Sequence, residues 1–165
     1  MKMINRMLVI ALVLFIAHSG LKAAQKDEGW ATDVKAAAKL ILSNSPKHEE
    51  VDRNLALLID TANKIAARDA RLPAEFRAKL QAAAKAFAKN PLSLESSEAL
   101  SAAYKIVNGG KAFAFPDGVG SIGEVSRLAQ QHIGQGVKAF ESGQSDQAVR
   151  GILTFVLLVT TPVMK

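Results

Sequence analysis

The chain has 165 residues, a formal net charge of +6 and no cysteine. Without thiols it forms no disulfide, no thiolate zinc site, no iron–sulfur cluster and no covalent c-type haem link. Lys2, Arg6 and Lys22 lie before residue 25, and the rest of the chain carries 18 basic against 15 acidic residues. This mild and interspersed charge does not favour nucleic-acid binding, which calls for basic clusters on one face.

Residues 1–24 are predicted to be a secretory signal peptide. Lys2 and Arg6 supply positive charge, residues 7–17 form an unbroken apolar run of 11 residues, and small residues follow that run. The run is shorter than the roughly 20 residues that a spanning helix needs. We therefore expect cleavage near Ala24, with an uncleaved anchor as the alternative. The expected location is the bacterial envelope, periplasmic or secreted, with residues 25–165 as one domain.

Apolar side chains beyond residue 28 recur at helical spacing. The second predicted helix shows this best, because its apolar residues alternate four and three apart and form one stripe: Val51, Leu55, Leu58, Ala62 and Ile65. Turn and capping signals divide the chain into predicted helices over about 30–43, 46–71, 73–89, 94–108, 121–142 and 145–161. No segment has a clear strand pattern. The sequence predicts an all-α fold, an antiparallel bundle of five or six helices.

Two helix starts carry specific signals. Ser45 followed by Pro46 predicts the N-cap and first turn of the second helix, and Ser121 with Glu124 three residues later predicts a capping box on the fifth. The sixth helix is apolar on every side over residues 152–159. Such a helix is predicted to lie at the centre of the bundle, and its apolar run is too short to span a bilayer.

One substantial segment, residues 111–120, lacks helical spacing. It contains Phe113 and Phe115, followed by the turn signature Pro116-Asp117-Gly118. We expect at least one of the two phenylalanines to fold back onto the end of the bundle. The functional alternative is a hydrophobic lip for a partner or an apolar ligand, and Trp30 at the start of the first helix has the same two interpretations.

The same loop contains a glycine-rich string. Residues 118–123 match G-x-G-x-x-G, but no buried strand precedes them and no βαβ unit surrounds them. We interpret the string as a loop that leads into a capped helix. A weaker hypothesis is that the backbone N–H groups at Ser121, with Lys111 nearby, hold a small anion.

His132 is the one histidine beside a predicted apolar stripe. We interpret it as a boundary residue with one hydrogen-bonded ring nitrogen, and a metal or haem ligand, with Met164 as second axial ligand, is the alternative. No G-x-S-x-G, His-x-x-Glu-His or Glu-x-x-His motif occurs. The chain is therefore predicted to be neither an enzyme nor a cofactor protein.

The resulting expectation is an exported binding or structural protein without catalytic activity. Its partner is either a protein or a small apolar or anionic ligand, held between helices or at the 111–120 loop. The predicted site residues are Lys111, Phe113, Phe115, Ser121 and Trp30. The alternative function is a periplasmic haem- or metal-binding bundle that uses His132. Neither nucleic-acid binding nor a stable membrane span after signal cleavage is expected.

Overall fold

A computed structural model describes residues 29–161, so the predicted signal peptide and Met164 lie outside the described residues. Those residues form six helices and no strand, which confirms the predicted all-α class. The helices are α1 (Trp30–Ile41), α2 (His48–Arg68), α3 (Ala74–Lys89), α4 (Leu94–Val107), α5 (Ile122–Glu141) and α6 (Ser145–Thr160). None of the helices within residues 29–161 combines the length and the apolarity that crossing a bilayer requires.

Helix α6 lies at the centre of the bundle, as its apolar run predicts. It packs against α2, α4 and α5, and every residue from 151 to 158 is buried. The hydrophobic core that surrounds it includes buried side chains from all six helices. Burial on all sides explains why α6 carries almost no polar residues after its first two turns.

Two predicted boundaries of α2 are wrong. Pro46 and Lys47 remain outside the helix, and Lys47 is the N-cap residue, without a side-chain hydrogen bond. The Ser45 hydroxyl instead donates to the Asn44 carbonyl at 2.7 Å, too early in the chain to cap the helix. At the other end α2 stops at Arg68, because Asp69 accepts the Arg71 N–H and turns the chain there.

The backbones of α5 and α6 approach each other closely at two glycines. A Cβ atom placed on Gly151 would lie 2.8 Å from the Gly136 Cα and 2.8 Å from the His132 carbonyl oxygen. A Cβ atom on Gly136 would lie 3.1 Å from the Ala148 carbonyl oxygen. Side chains cannot occupy these positions without moving backbone atoms, so the glycines allow the close crossing of α5 and α6.

Candidate functional site

A cleft of about 500 Å³ opens between α4, the 111–120 loop, α5 and α6. We call it the Arg150 cleft. Its floor consists of buried residues, and its rim is polar and exposed. The floor residues are Tyr104, Gly151, Thr154 and Leu158, and the rim residues include Gln135, Asp146, Gln147 and Arg150.

Aromatic rings form one wall of the Arg150 cleft. The Phe113 ring meets the Tyr104 ring edge-to-face at a centroid distance of 5.7 Å. Phe115 meets Phe113 in the same manner at 6.4 Å. Phe113 lines the Arg150 cleft and Phe115 does not, although the two rings are in contact. Both rings pack against the core and remain partly exposed.

Arg150 supplies the positive charge at the rim. Its Nη2 donates a hydrogen bond to the Val107 carbonyl oxygen at 2.9 Å. Val107 is the last residue of α4, and carbonyl groups at a helix end lack partners within the helix. This bond satisfies one of them and fixes the guanidinium beside the cleft. Sequence reasoning missed this role, because Arg150 and Val107 lie 43 positions apart.

His132 lies half-buried in the same cleft. Burial lowers the pKa of its imidazole from the usual 6.5, so the ring is neutral at pH 7. Within residues 29–161, no protein group is hydrogen-bonded to the His132 ring, which faces the open cleft. The predicted hydrogen bond to one ring nitrogen stays a prediction. Within the same range, no three residues of metal-ligating type cluster together.

Phe115 and Ser121 line a different depression. It measures about 530 Å³ and lies between the end of α1, the end of α6 and the start of α5. We call it the Phe115 groove. Its walls are largely apolar, and Ile122 at its edge is 90% exposed. The predicted pair of phenylalanines thus faces two separate surfaces.

The capping box at Ser121 is confirmed. The Ser121 hydroxyl accepts the Glu124 N–H at 3.2 Å. Glu124 Oε2 in turn accepts the N–H groups of Gly120 and Ser121 and the Ser121 hydroxyl, each at 3.0 Å. The backbone bond from Gly120, followed by the bonds from Ser121, lowers the Glu124 pKa. The carboxylate therefore occupies the donors that the hypothetical anion would use.

Lys111 and Trp30 lie apart from both depressions. Lys111 is exposed, and its N–H donates to the Asn108 carbonyl at 3.3 Å. Trp30 packs against Phe140 of α5 at 5.7 Å, and the Arg68 guanidinium lies 4.8 Å from the indole centroid. The Trp30 ring thus contributes to packing between α1 and α5 and to a cation–π contact. Of the five predicted site residues, Phe113 alone shares a cleft with His132.

Comparison of the chain with protein-family models, with curated proteins and with solved structures finds no match.

Proposed function

We propose that the chain is an exported helical protein that binds a small organic molecule in the Arg150 cleft and catalyses no reaction on it. The observation that carries the proposal is the convergence of Tyr104, Phe113, His132 and Arg150 on one cleft of about 500 Å³. Sites for small molecules typically measure about 300–1,000 Å³ and combine apolar walls with a few polar groups. The predicted signal peptide at residues 1–24 supports export.

The polar groups of the cleft suit binding better than catalysis. Asp146 and Arg150 lie at the exposed rim, whereas catalytic groups usually lie in buried positions beside close polar neighbours. Within residues 29–161, no hydroxyl group is hydrogen-bonded to His132. Nucleophilic catalysis would use such a hydroxyl–imidazole pair.

Native mass spectrometry tests the proposal on protein purified from the envelope fraction of its own host. We expect extra mass that disappears on denaturation. Gln135→Trp places an indole at the cleft and should abolish the extra mass by steric exclusion. Gln131→Trp is the matched control, because Gln131 is also an exposed glutamine, one turn earlier on α5, and does not line the cleft.

Two results would contradict the proposal. One is a bare monomer or a clean homo-oligomer, which would point instead to a protein partner or a structural role. The other is extra mass that survives in Gln135→Trp, since the molecule would then lie elsewhere.

A haem or metal protein that uses His132 is the second candidate. The observation that favours it is the neutral His132 ring, which faces the cleft and has no hydrogen-bond partner within residues 29–161. A neutral imidazole nitrogen is the usual axial ligand of haem iron. A Soret absorption band, or bound metal in an elemental assay, that is lost in His132→Ala would support this candidate. A colourless, metal-free protein would reject it.

A further inference from the structure

We propose that the Arg150 cleft binds a small zwitterion of amino-acid type with an apolar side chain. Its carboxylate would bind Arg150, its ammonium group would bind Asp146, and its side chain would lie against Phe113 and Tyr104. This inference rests on the proposed ligand-binding function and adds the chemical class of the ligand.

Asp146 and Arg150 present opposite charges to the same cleft without pairing with each other. They lie four residues apart on α6, and both line the rim. An acidic residue four positions before a basic one is the favourable order for an ion pair along a helix. Within residues 29–161, however, neither side chain forms an ion pair. The Arg150 guanidinium instead binds the Val107 carbonyl of α4.

The other basic side chain near Asp146 already has a partner. Arg71 donates from Nε and Nη2 to the two carboxylate oxygens of Asp69, at 2.8 and 2.7 Å. These bonds, followed by the charge of Asp69 and then by that of Asp146, raise the pKa of Arg71. Because the Arg71 guanidinium is hydrogen-bonded to Asp69, the Asp146 carboxylate remains available to a cation in the cleft.

The rest of the cleft fits a molecule with two charges and an apolar body. A ligand with a single charge would leave either Asp146 or Arg150 unpaired, whereas a zwitterion pairs both. The neutral His132 adds no further charge at pH 7. Phe113, Tyr104 and the buried Leu158 offer an apolar surface, and a cavity of about 500 Å³ accommodates a molecule of amino-acid size.

Titration calorimetry with charge-matched probes tests the inference on the dialysed protein. One set is phenylalanine, 3-phenylpropanoate and phenethylamine, and the second is leucine, 4-methylpentanoate and isopentylamine. The three probes of a set share one apolar group. The amino acid carries both charges, the acid carries only the negative charge, and the amine carries only the positive charge. In at least one set, we expect the amino acid to bind at least tenfold tighter than either single-charge analogue.

Two variants test which residue binds each charge of the amino acid. Asp146→Asn should weaken binding of the amino acid about tenfold and leave the carboxylate analogue unchanged. Arg150→Met should weaken the amino acid and leave the amine analogue unchanged. The matched controls are Asp33→Asn and Arg127→Met, two exposed charges that line neither depression, and they should leave every binding constant unchanged.

The outcomes separate this inference from the function on which it rests. If the carboxylate analogue binds as tightly as the amino acid, and Asp146→Asn has no effect, the ligand is a plain organic anion and only the inference is overturned. The inference also fails alone if none of the six probes binds while another molecule co-purifies in the cleft. If no molecule co-purifies and no probe binds, both proposals are overturned.

Discussion

Asp69 connects the turn after α2 to the start of α6. Its carboxylate binds the Arg71 side chain and accepts the Arg71 N–H at 3.0 Å, and Ser145 of α6 adds a further hydrogen bond. The bond from the Arg71 side chain is the main cause that lowers the Asp69 pKa to about 2 from 3.8. The Asp69 side chain is only 11% exposed, whereas that of Arg71 is 77% exposed. Solvent therefore screens the pair partly.

This pKa shift makes stability depend on pH in a defined direction. The Asp69 carboxyl group has a lower pKa in the folded state than in the unfolded chain. It therefore stabilises the folded state fully at pH values above its ordinary pKa of 3.8, and this stabilisation is lost as the pH falls through about 2. Asp69→Asn should therefore cost about 1 kcal/mol at pH 7 and almost nothing near pH 2. Urea unfolding across this pH range measures the difference.

Asp60→Asn is the control for the Asp69 prediction. Asp60 pairs with Lys64 at 2.7 Å, but both side chains are about half exposed. We expect Asp60→Asn to change the stability much less than Asp69→Asn does at pH 7, and to do so at every pH tested. A difference between Asp69→Asn and the unmodified chain that stayed constant from pH 7 to pH 2 would contradict the assignment.

Among the helices, the crossing of α5 and α6 depends on two glycines. Gly151→Ala should destabilise the protein by about 1–3 kcal/mol, because the new methyl group would collide with backbone atoms of α5. Gly134→Ala on α5 is the matched control, since a Cβ atom there meets nothing within 4 Å. It should stabilise by about 0.5–1 kcal/mol through higher helix propensity. Denaturant unfolding followed by circular dichroism measures the change in unfolding free energy for both variants. The prediction is refuted if both variants change stability in the same direction.

The start of α5 depends on its capping box. Ser121→Ala removes the hydroxyl that accepts the Glu124 N–H and should cost about 1 kcal/mol. Ser101→Ala, at an exposed position inside α4, should be neutral or slightly stabilising because alanine is the better helix former. Thermal melts of both variants provide the comparison. If Ser121→Ala melted at the same temperature as the unmodified chain, the box would have no role in stability.

At the scale of the whole molecule, α6 is the central element, because it packs against α2, α4 and α5. Leu153 is fully buried in it, and Leu153→Ala should cost about 2–5 kcal/mol. Leu94→Ala, at a position that is 66% exposed, should cost less than about 1 kcal/mol. Because the core joins all six helices, we expect circular dichroism and the fluorescence of Trp30 to report one coincident transition. Separate transitions would mean that α1 unfolds independently.

The fold followed from the sequence because its determinants are local. The stripe on α2, the capping box at Ser121 and the apolar run of α6 each lie within one segment and each predicted an observed helix. The predicted N-cap at Ser45 is wrong because Pro46 and Lys47 lie outside the helix. The start of the helix differs from the prediction by two residues, which periodicity does not resolve.

The candidate site was only partly predictable because it is assembled by packing. Its side chains come from α4, the 111–120 loop, α5 and α6, at positions 104, 113, 132 and 150. Phe113 and His132 each have a sequence signal of their own, as an aromatic residue in a loop and a histidine beside an apolar stripe. Tyr104 carries no local signal, because it reaches the cleft only through the packing of α4 against α6. Asp146 and Arg150 have the spacing of an ion pair along one helix, and that spacing does not predict a cleft beside them.

The central position of α6 has a consequence for how the chain is made. Among the helices of residues 29–161 it follows the other five in chain order, so a ribosome makes α1 to α5 before it makes α6. Until then the surfaces of α2, α4 and α5 that pack on α6 stay uncovered, and the bundle of residues 29–161 cannot close. A chain that folds late can still be threaded through a translocation channel, which is the demand that the proposed export places on it.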